Sequence, residues 1–329
     1  MLDLTGNAQL NPLGYNHELF RGAFGKEWDN AMINGFAADL VTSHAFYELV
    51  ESTFSGISPN GLTGVTLVNS RSAVADAVRS AMLERQQDGI GQSALYFSGS
   101  SHGSPLTLGG MICGWPSASY PRSAGEEAEI LEQVRSSVAA ASTSAKHIAA
   151  VVIEPTQQTS GHRASDSFIS SLSAICREFD AALIVDETNT GCYSSGNGTF
   201  WQYSGPADYV AFGGAAQAAG YFSRQSGHSL AGNENDVRLL STILAGVESD
   251  GLAKRSEKSS AQLTEALGDA VQKNGSLSAA RSSGTSAWVE TASAEVASAL
   301  NAHLRQEGVL ARQVGSTIVA RSTLLFGHK

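Results

Sequence analysis

The sequence reads AAVVIEP at 149–155, ALIVDETNTG at 182–191 and ADYVAFGGAAQAAGYF at 207–222. The apolar parts of these runs do not alternate with polar residues. Unbroken apolar runs are typical of strands that are buried on both faces, as in a parallel sheet covered by helices. The three runs therefore predict neighbouring strands of an α/β domain with a mainly parallel sheet.

A helix is predicted between the first two runs. Residues 165–179 carry apolar side chains at helical spacing, and Ser165 and Asp166 are available to cap the first turn. In sheets of this kind, ligands bind at the carboxyl ends of the strands. Asp186 stands at such an end, so we expect the functional site there.

Composition narrows the function classes. The chain has 329 residues and a formal net charge of -10, which argues against a nucleic-acid-binding surface. No apolar run approaches the roughly 20 residues that span a bilayer, so no transmembrane segment is predicted. No targeting peptide is recognisable at Met1. The cysteines Cys113, Cys176 and Cys192 show no paired spacing, which favours reduced, buried thiols over disulfides.

The character of the chain changes near its end. The predicted elements there are a strand at 286–290, a helix at 293–307 and strands at 309–311 and 317–320. We therefore divide the chain into an N-terminal segment (1–30), a large α/β domain (31–250) and a small α+β C-terminal domain (251–329).

Two weaker site signals precede the central stretch. The strand at 62–68 enters a helix through Asn69 and Ser70, which is a generic geometry for binding an anion. Arg71 either adds charge to such a site or is a solvated surface residue. His102, in a Gly/Ser loop, is either a catalytic residue or a structural, hydrogen-bonded one.

The residues from 148 to 203 resemble the core of class III aminotransferases, most closely the 4-aminobutyrate aminotransferases. The likeness extends to MLDLTGNAQLNPLGYNHE at the start, to FSGSSHG at 97–103 and to STIVARSTLLF near the end. The resemblance implies a fold-type I aminotransferase architecture over nearly the whole chain.

The resemblance also implies positions for the chemistry of pyridoxal phosphate, which needs a lysine amine to form an imine. The matching position is Ala215, and no lysine lies between Lys146 and Lys254. Asp186 matches the carboxylate that pairs with the pyridine nitrogen. Asn189 stands where the family has a glutamine that reaches the phenolic oxygen of the cofactor.

Further positions around the cofactor also depart from the family. Ser70 and Arg71 replace the Gly-Ser turn that holds the phosphate. Ser101 replaces the aromatic residue that stacks on the ring, just before His102. Ser104 replaces the first arginine for the substrate carboxylate.

The remaining departures concern substrate binding. Val319 matches the second carboxylate-binding arginine, and Arg321 follows two residues later on the same face of the strand. Thr159 matches a glutamate that controls access to that arginine. The cysteines of an iron–sulfur link in some members fall at Asn69 and Ser72.

We interpret these losses as the mark of a catalytically inactive aminotransferase-like protein for which no cofactor is expected. It would act as a structural or accessory subunit, as a homodimer or within a larger mitochondrial assembly. One alternative is an active 4-aminobutyrate-type transaminase that uses pyridoxal phosphate and 2-oxoglutarate. Another is a protein that binds a phosphorylated small molecule noncovalently.

Overall fold

The computed structural model describes residues 2–5, 12–13, 17–23, 44–59, 61–68, 73–86, 91–99, 107–108, 111–112, 115–142, 146–194, 207–225, 228–230 and 232–323. The α-helices within these ranges are α1 (Glu18–Ala23), α2 (His44–Phe54), α3 (Ala73–Glu84), α4 (Glu127–Ser142), α5 (Asp166–Glu178), α6 (Glu234–Ser249), α7 (Leu252–Lys273) and α8 (Ala294–Gln306).

The strands alternate with these helices along most of the chain. They are β1 (Leu2–Leu4), β2 (Gly64–Leu67), β3 (Gly91–Phe97), β4 (Thr107–Leu108), β5 (Met111–Ile112), β6 (Ser117–Ala118), β7 (Lys146–Ile153), β8 (Ala182–Asp186), β9 (Tyr209–Phe212), β10 (Gly220–Ser223), β11 (His228–Leu230), β12 (Leu277–Ser283), β13 (Ser286–Thr291), β14 (Val309–Val314) and β15 (Thr317–Arg321).

Eight strands form a large sheet in the order β11-β2-β10-β9-β8-β7-β3-β6. All neighbours in it run parallel except β10, which is antiparallel to both β2 and β9. A small sheet has the order β1-β14-β15-β13-β12, and β4 pairs with β5 separately. The predicted α/β fold with a mainly parallel sheet and a smaller α+β layer is confirmed.

The large sheet is covered on both faces. Apolar residues of α2, α4, α5 and α6 pack on one face. On the other face, α3 packs its alanines and valines against small residues such as Ala94, Ala150 and Ala182. Burial on both faces explains why these strands read as unbroken apolar runs.

The central unit has the predicted order β7, α5, β8, β9. The Oγ of Ser165 accepts from the backbone N–H of Phe168 at 3.0 Å, which caps α5 as predicted. Phe168, Ile169 and Leu172 on the buried side of α5 belong to the main core.

Two pairings in the small sheet were not predicted. Strand β12 (sequence LSAARSS) has none of the β-branched or aromatic residues that mark strands, yet it pairs with β13 at the edge of the sheet. Strand β1, at the start of the chain, pairs in parallel with β14. The first part of the chain thus contributes to the small sheet, while the division into domains stays a prediction.

Cys176 and Cys192 are free, buried thiols, as predicted. Burial raises the pKa of the Cys192 thiol to about 12, which keeps the thiol protonated. Cys113 lies outside the described residues. None of the helices in the described ranges is both long enough and apolar enough to span a membrane.

Replacing Thr53 with valine is expected to raise the free energy of unfolding by about 1 kcal/mol. Thr53 is buried in α2, and its Oγ1 has no hydrogen-bond partner among the described residues. Valine keeps the shape and removes the buried hydroxyl. The control is Thr242→Val, because the Thr242 hydroxyl donates to the carbonyl of Arg238 at 2.9 Å. Urea unfolding should show a gain for Thr53→Val only; equal effects in the two variants would contradict the explanation.

Candidate functional site

The candidate site lies where β7, β8 and β9 end at one edge of the large sheet. Glu154 follows β7, Asp186 is the last residue of β8, and Gly213 follows β9. These strands are parallel neighbours, so their carboxyl ends meet. Asp186 therefore stands where the sequence pattern places it. Two of the connections that leave this edge are named here: residues 154–163 are the docking loop, and residues 187–194 are the strand-tip turn.

Asp186 belongs to a chain of hydrogen bonds within the protein. Its side chain is only 2% exposed. Its Oδ1 accepts from the backbone N–H of Thr188 at 3.0 Å and from the Thr188 hydroxyl at 2.5 Å. The Thr188 Oγ1 in turn accepts from Asn189 Nδ2 at 3.2 Å. The carboxylate that the resemblance assigns to a pyridine nitrogen is thus held by its own turn.

Asn189 connects this chain to the docking loop. Its Oδ1 accepts from Gln158 Nε2 at 2.8 Å. Since the amide of Asn189 donates to Thr188 and accepts from Gln158, both ends of the side chain have partners within the protein. Neither Gln158 nor Thr188 was singled out in the sequence, because uncharged side chains of this size occur throughout the chain.

Ala215 lies in a one-turn 3₁₀ helix, Gly214–Ala216, directly after β9. It is 6% exposed and packs in the main core. The preceding Gly214 has φ +52°, and a Cβ there would lie 2.5 Å from the carbonyl oxygen of Thr188. The turn that carries Ala215 thus approaches the strand-tip turn so closely that only glycine fits at the contact.

The position matched to the gating glutamate is Thr159, in the docking loop. Its hydroxyl donates to the carbonyl of Gly99 at 2.6 Å. The neighbouring Gln157 donates from Nε2 to the carbonyl of Ser98, also at 2.6 Å. Both side chains therefore fasten the docking loop to the end of β3.

Val319 and Arg321 lie on β15 of the small sheet. Val319 is buried and stands directly opposite Trp288 on one side and Arg312 on the other. Arg321 is 4% exposed, and its Nη2 donates to the carbonyl of Gln158 at 3.0 Å. Burial lowers the pKa of Arg321 to about 10, although the negative charge of Glu154 acts to raise it. Arg321 is thus directed at the docking loop.

Trp288 is another side chain of this region that the sequence does not single out. Its Nε1 donates to the carbonyl of Gln158 at 2.8 Å. Its ring covers Gly161, which has φ +71°. A tryptophan in the strand SAWVET reads as an ordinary core residue, so only the tertiary structure relates it to the docking loop.

His162 is a buried histidine in the docking loop, near the charges of Arg122, Arg281 and Glu290. Burial lowers the pKa of His162, and the positive charge of Arg281 lowers it further. Arg281 itself pairs with Glu290 at 3.2 Å. The folded protein therefore favours the neutral imidazole.

We expect the free energy of unfolding to decrease as the pH falls below about 6.5, the ordinary pKa of histidine. In the unfolded chain the imidazole takes up a proton near that value, whereas the folded chain resists protonation until the pH reaches its lower pKa. His162 therefore makes its full contribution to the free energy of unfolding above about pH 6.5, and this contribution decreases as the pH falls towards the lower pKa of the folded chain. Urea unfolding between pH 5 and pH 7 should show a smaller decrease for His162→Gln than for the wild type. An identical decrease would show that His162 is not responsible.

Several sequence-predicted site residues lie outside the described residues, and their roles stay predictions. These are Asn69, Ser70, Arg71, Ser72, Ser101, His102 and Ser104. Within the part of the chain that the structure describes, no cluster of three or more His, Cys, Asp or Glu side chains is placed to hold a metal ion.

The family model "Aminotransferase class-III" matches residues 1–328. Human mitochondrial 4-aminobutyrate aminotransferase is 25% identical over 280 residues, which cover 68% of this chain and 55% of that protein. The L-lysine-epsilon aminotransferase of Mycobacterium tuberculosis is 34% identical over 159 residues, 43% of this chain and 34% of that protein. The chain spans about half the length of the 4-aminobutyrate aminotransferases that it matches.

A solved structure is similar over almost the whole chain. The lysine aminotransferase from M. tuberculosis in the internal aldimine form superposes with a TM-score of 0.81 at 22% identity. The match covers 96% of this chain and 84% of that one. At this identity the likeness shows a shared fold-type I architecture.

Proposed function

Because the chain belongs to the class III aminotransferase family, whose members use pyridoxal phosphate, we propose that it is a member without transaminase activity, retained as a structural or accessory subunit. The observation that carries this proposal is Ala215, buried in the turn after β9, in a chain with no lysine between Lys146 and Lys254. An alanine has no amine, so it forms no imine and moves no proton. Fold alone does not confer the family's chemistry.

The described residues around Asp186 do not fit a pyridoxal phosphate that is anchored as an imine. The covalent anchor is missing at Ala215. In addition, Oδ1 of Asp186 already accepts two hydrogen bonds from Thr188. Asn189, at the position of the family's glutamine, is occupied by Gln158 and Thr188. A cofactor that used Asn189 would have to displace the contacts of its side chain, and Ala215 offers no amine, so no catalytic step is assigned to the cofactor.

The large and small sheets are nevertheless kept with a packed core. We propose that the protein acts through contacts between its surface and other protein chains. It would do so as a homodimer or as a subunit of a larger assembly. The mitochondrial 4-aminobutyrate aminotransferases among its relatives support a mitochondrial location as part of this proposal.

The proposal is tested by measuring amino transfer to 2-oxoglutarate with several ω-amino acids, with pyridoxal phosphate added. We expect no turnover that depends on protein concentration. Such turnover would overturn the proposal and favour an active transaminase instead.

The accessory role is tested separately by measuring the size of the native protein isolated from its source. We expect a species larger than one chain; a single free chain would remove the accessory role.

A further inference from the structure

Gln158 makes contacts in two directions from one position in the docking loop. Its backbone N–H donates to Oε2 of Glu154 at 3.1 Å, which fixes the loop to the end of β7. Its carbonyl accepts from Trp288 of β13 and from Arg321 of β15. Its side chain donates to Asn189 in the strand-tip turn. One residue thus joins the small sheet to the turn that holds Asp186.

The strand-tip turn has a second tie to the small sheet at its other end. The carbonyl of Ser194 accepts from the backbone N–H of Thr285 at 3.2 Å and from the Thr285 hydroxyl at 3.3 Å. Thr285 lies between β12 and β13. Thr285 also accepts, at its carbonyl, from the backbone N–H of Ser322 just after β15. The small sheet therefore holds the strand-tip turn at both Asn189 and Ser194.

The docking loop is itself held against the small sheet by packing. The Trp288 ring lies over Gly161, where a Cβ would come within 2.4 Å of the ring. Arg281 of β12 donates to the carbonyl of Ser160 at 3.4 Å. Because the loop follows the sheet closely along several residues, a movement of the small sheet would move the loop with it.

We propose that Gln158 couples the small sheet to the strand-tip turn, so that release of one loosens the other. The link runs from Trp288 and Arg321 through the carbonyl and side chain of Gln158 to Asn189, Thr188 and Asp186. All of it is formed by the protein's own residues, and it therefore holds the small sheet on the large domain without a ligand. Gln158 is a positioning residue in this role. The inference goes beyond the proposed function and does not depend on a partner or on inactivity.

The test is amide hydrogen exchange of the full chain, followed by mass spectrometry, comparing the wild type with Gln158→Met. Methionine keeps the length of the side chain and removes the donor to Asn189. Losing one such bond should raise exchange roughly tenfold. We expect this rise both in peptides from residues 286–291 and 317–321 and in peptides from residues 187–194. Peptides from β7 and β8 should keep their protection.

The matched control is Gln217→Met. The Gln217 side chain also donates one hydrogen bond, to the carbonyl of Gly214 at 3.1 Å, but that bond stays within its own turn. It should leave the small sheet unchanged. Faster exchange restricted to residues 187–194 in Gln158→Met, or no change anywhere, would overturn the coupling.

A second variant approaches the link from the opposite end and covers the case in which Gln158→Met does not fold. Trp288→Phe keeps a ring over Gly161 and removes the donor to the carbonyl of Gln158. Because coupling is reciprocal, exchange should also rise in residues 187–194, although the hydrogen bond that is removed ends on Gln158 in the docking loop. An unchanged strand-tip turn in Trp288→Phe would contradict the proposal. Neither outcome bears on whether the protein transaminates.

Discussion

Gly161→Val is expected to lower the free energy of unfolding by about 2–4 kcal/mol. Gly161 has φ +71°, a conformation that a β-branched residue adopts only with strain. A Cβ at this position would also lie 2.4–2.7 Å from atoms of the Trp288 ring, so the ring must move. Both effects act on the contact between the docking loop and the small sheet. Equilibrium urea unfolding, followed by circular dichroism, measures the loss.

Gly315→Val is the matched control for this prediction. Gly315 has φ +58°, but a Cβ there meets no atom within 4 Å. It therefore carries the backbone strain, about 1–2 kcal/mol, without the clash. If the two variants lose the same stability, the packing of Trp288 on Gly161 contributes nothing.

Tyr120→Phe is expected to lower the free energy of unfolding by about 2–3 kcal/mol. The buried hydroxyl of Tyr120 lies 2.9 Å from the carbonyl oxygen of Glu154 and 2.8 Å from that of Pro155. It also accepts from the backbone N–H of Ala164 at 3.0 Å. The hydroxyl thus contacts the start of the docking loop and the residue that directly follows the loop, and its removal leaves buried backbone groups without this partner. The measurement is again urea unfolding.

The control is Tyr221→Phe. The Tyr221 hydroxyl has a single side-chain contact in the described structure, with Ser80 Oγ at 2.7 Å, and that region is partly buried. We expect a loss of about 1 kcal/mol or less. A Tyr120→Phe variant as stable as Tyr221→Phe would mean that the docking loop does not depend on Tyr120.

The central layer of the fold is predictable from local pattern. Apolar runs without alternation and the helical spacing at 165–179 are sufficient to place β7, α5, β8 and β9, because each of these elements buries side chains in the core. The end of β8 at Asp186 follows from the same pattern. The class III aminotransferase family, the fold-type I architecture and the capping by Ser165 are confirmed.

The pairings that depend on distant residues are not predictable in this way. Strand β10 runs antiparallel between β2 and β9, and it fits only because Gly220 has no Cβ; one would lie 2.2 Å from the carbonyl oxygen of Thr66. β1 pairs with β14, from the other end of the chain. Strand β12 is specified by its pairing with β13, since its own residues are mostly small and polar.

The candidate site shows the same limit. The carboxylate of Asp186 is visible in the sequence, but its engagement by Thr188 depends on the conformation of the strand-tip turn. The contact between Gln158 and Asn189 joins residues 31 positions apart, and that between Trp288 and Gln158 joins residues 130 apart. No local pattern encodes hydrogen bonds between polar side chains at such separations. The roles of Ala215, Thr159 and Val319 stay predictions from the resemblance.

The most direct test of the central claim is to incubate the protein with equimolar pyridoxal phosphate, reduce it with borohydride and map the modified lysines by mass spectrometry. Borohydride converts any imine into a stable amine and thus records where the cofactor was attached. Our account predicts only sparse labelling spread over several lysines, because the sequence from 147 to 253, which contains the turn of Ala215, has no lysine. Nearly complete labelling of one lysine, together with an absorbance band that reduction removes, would contradict it.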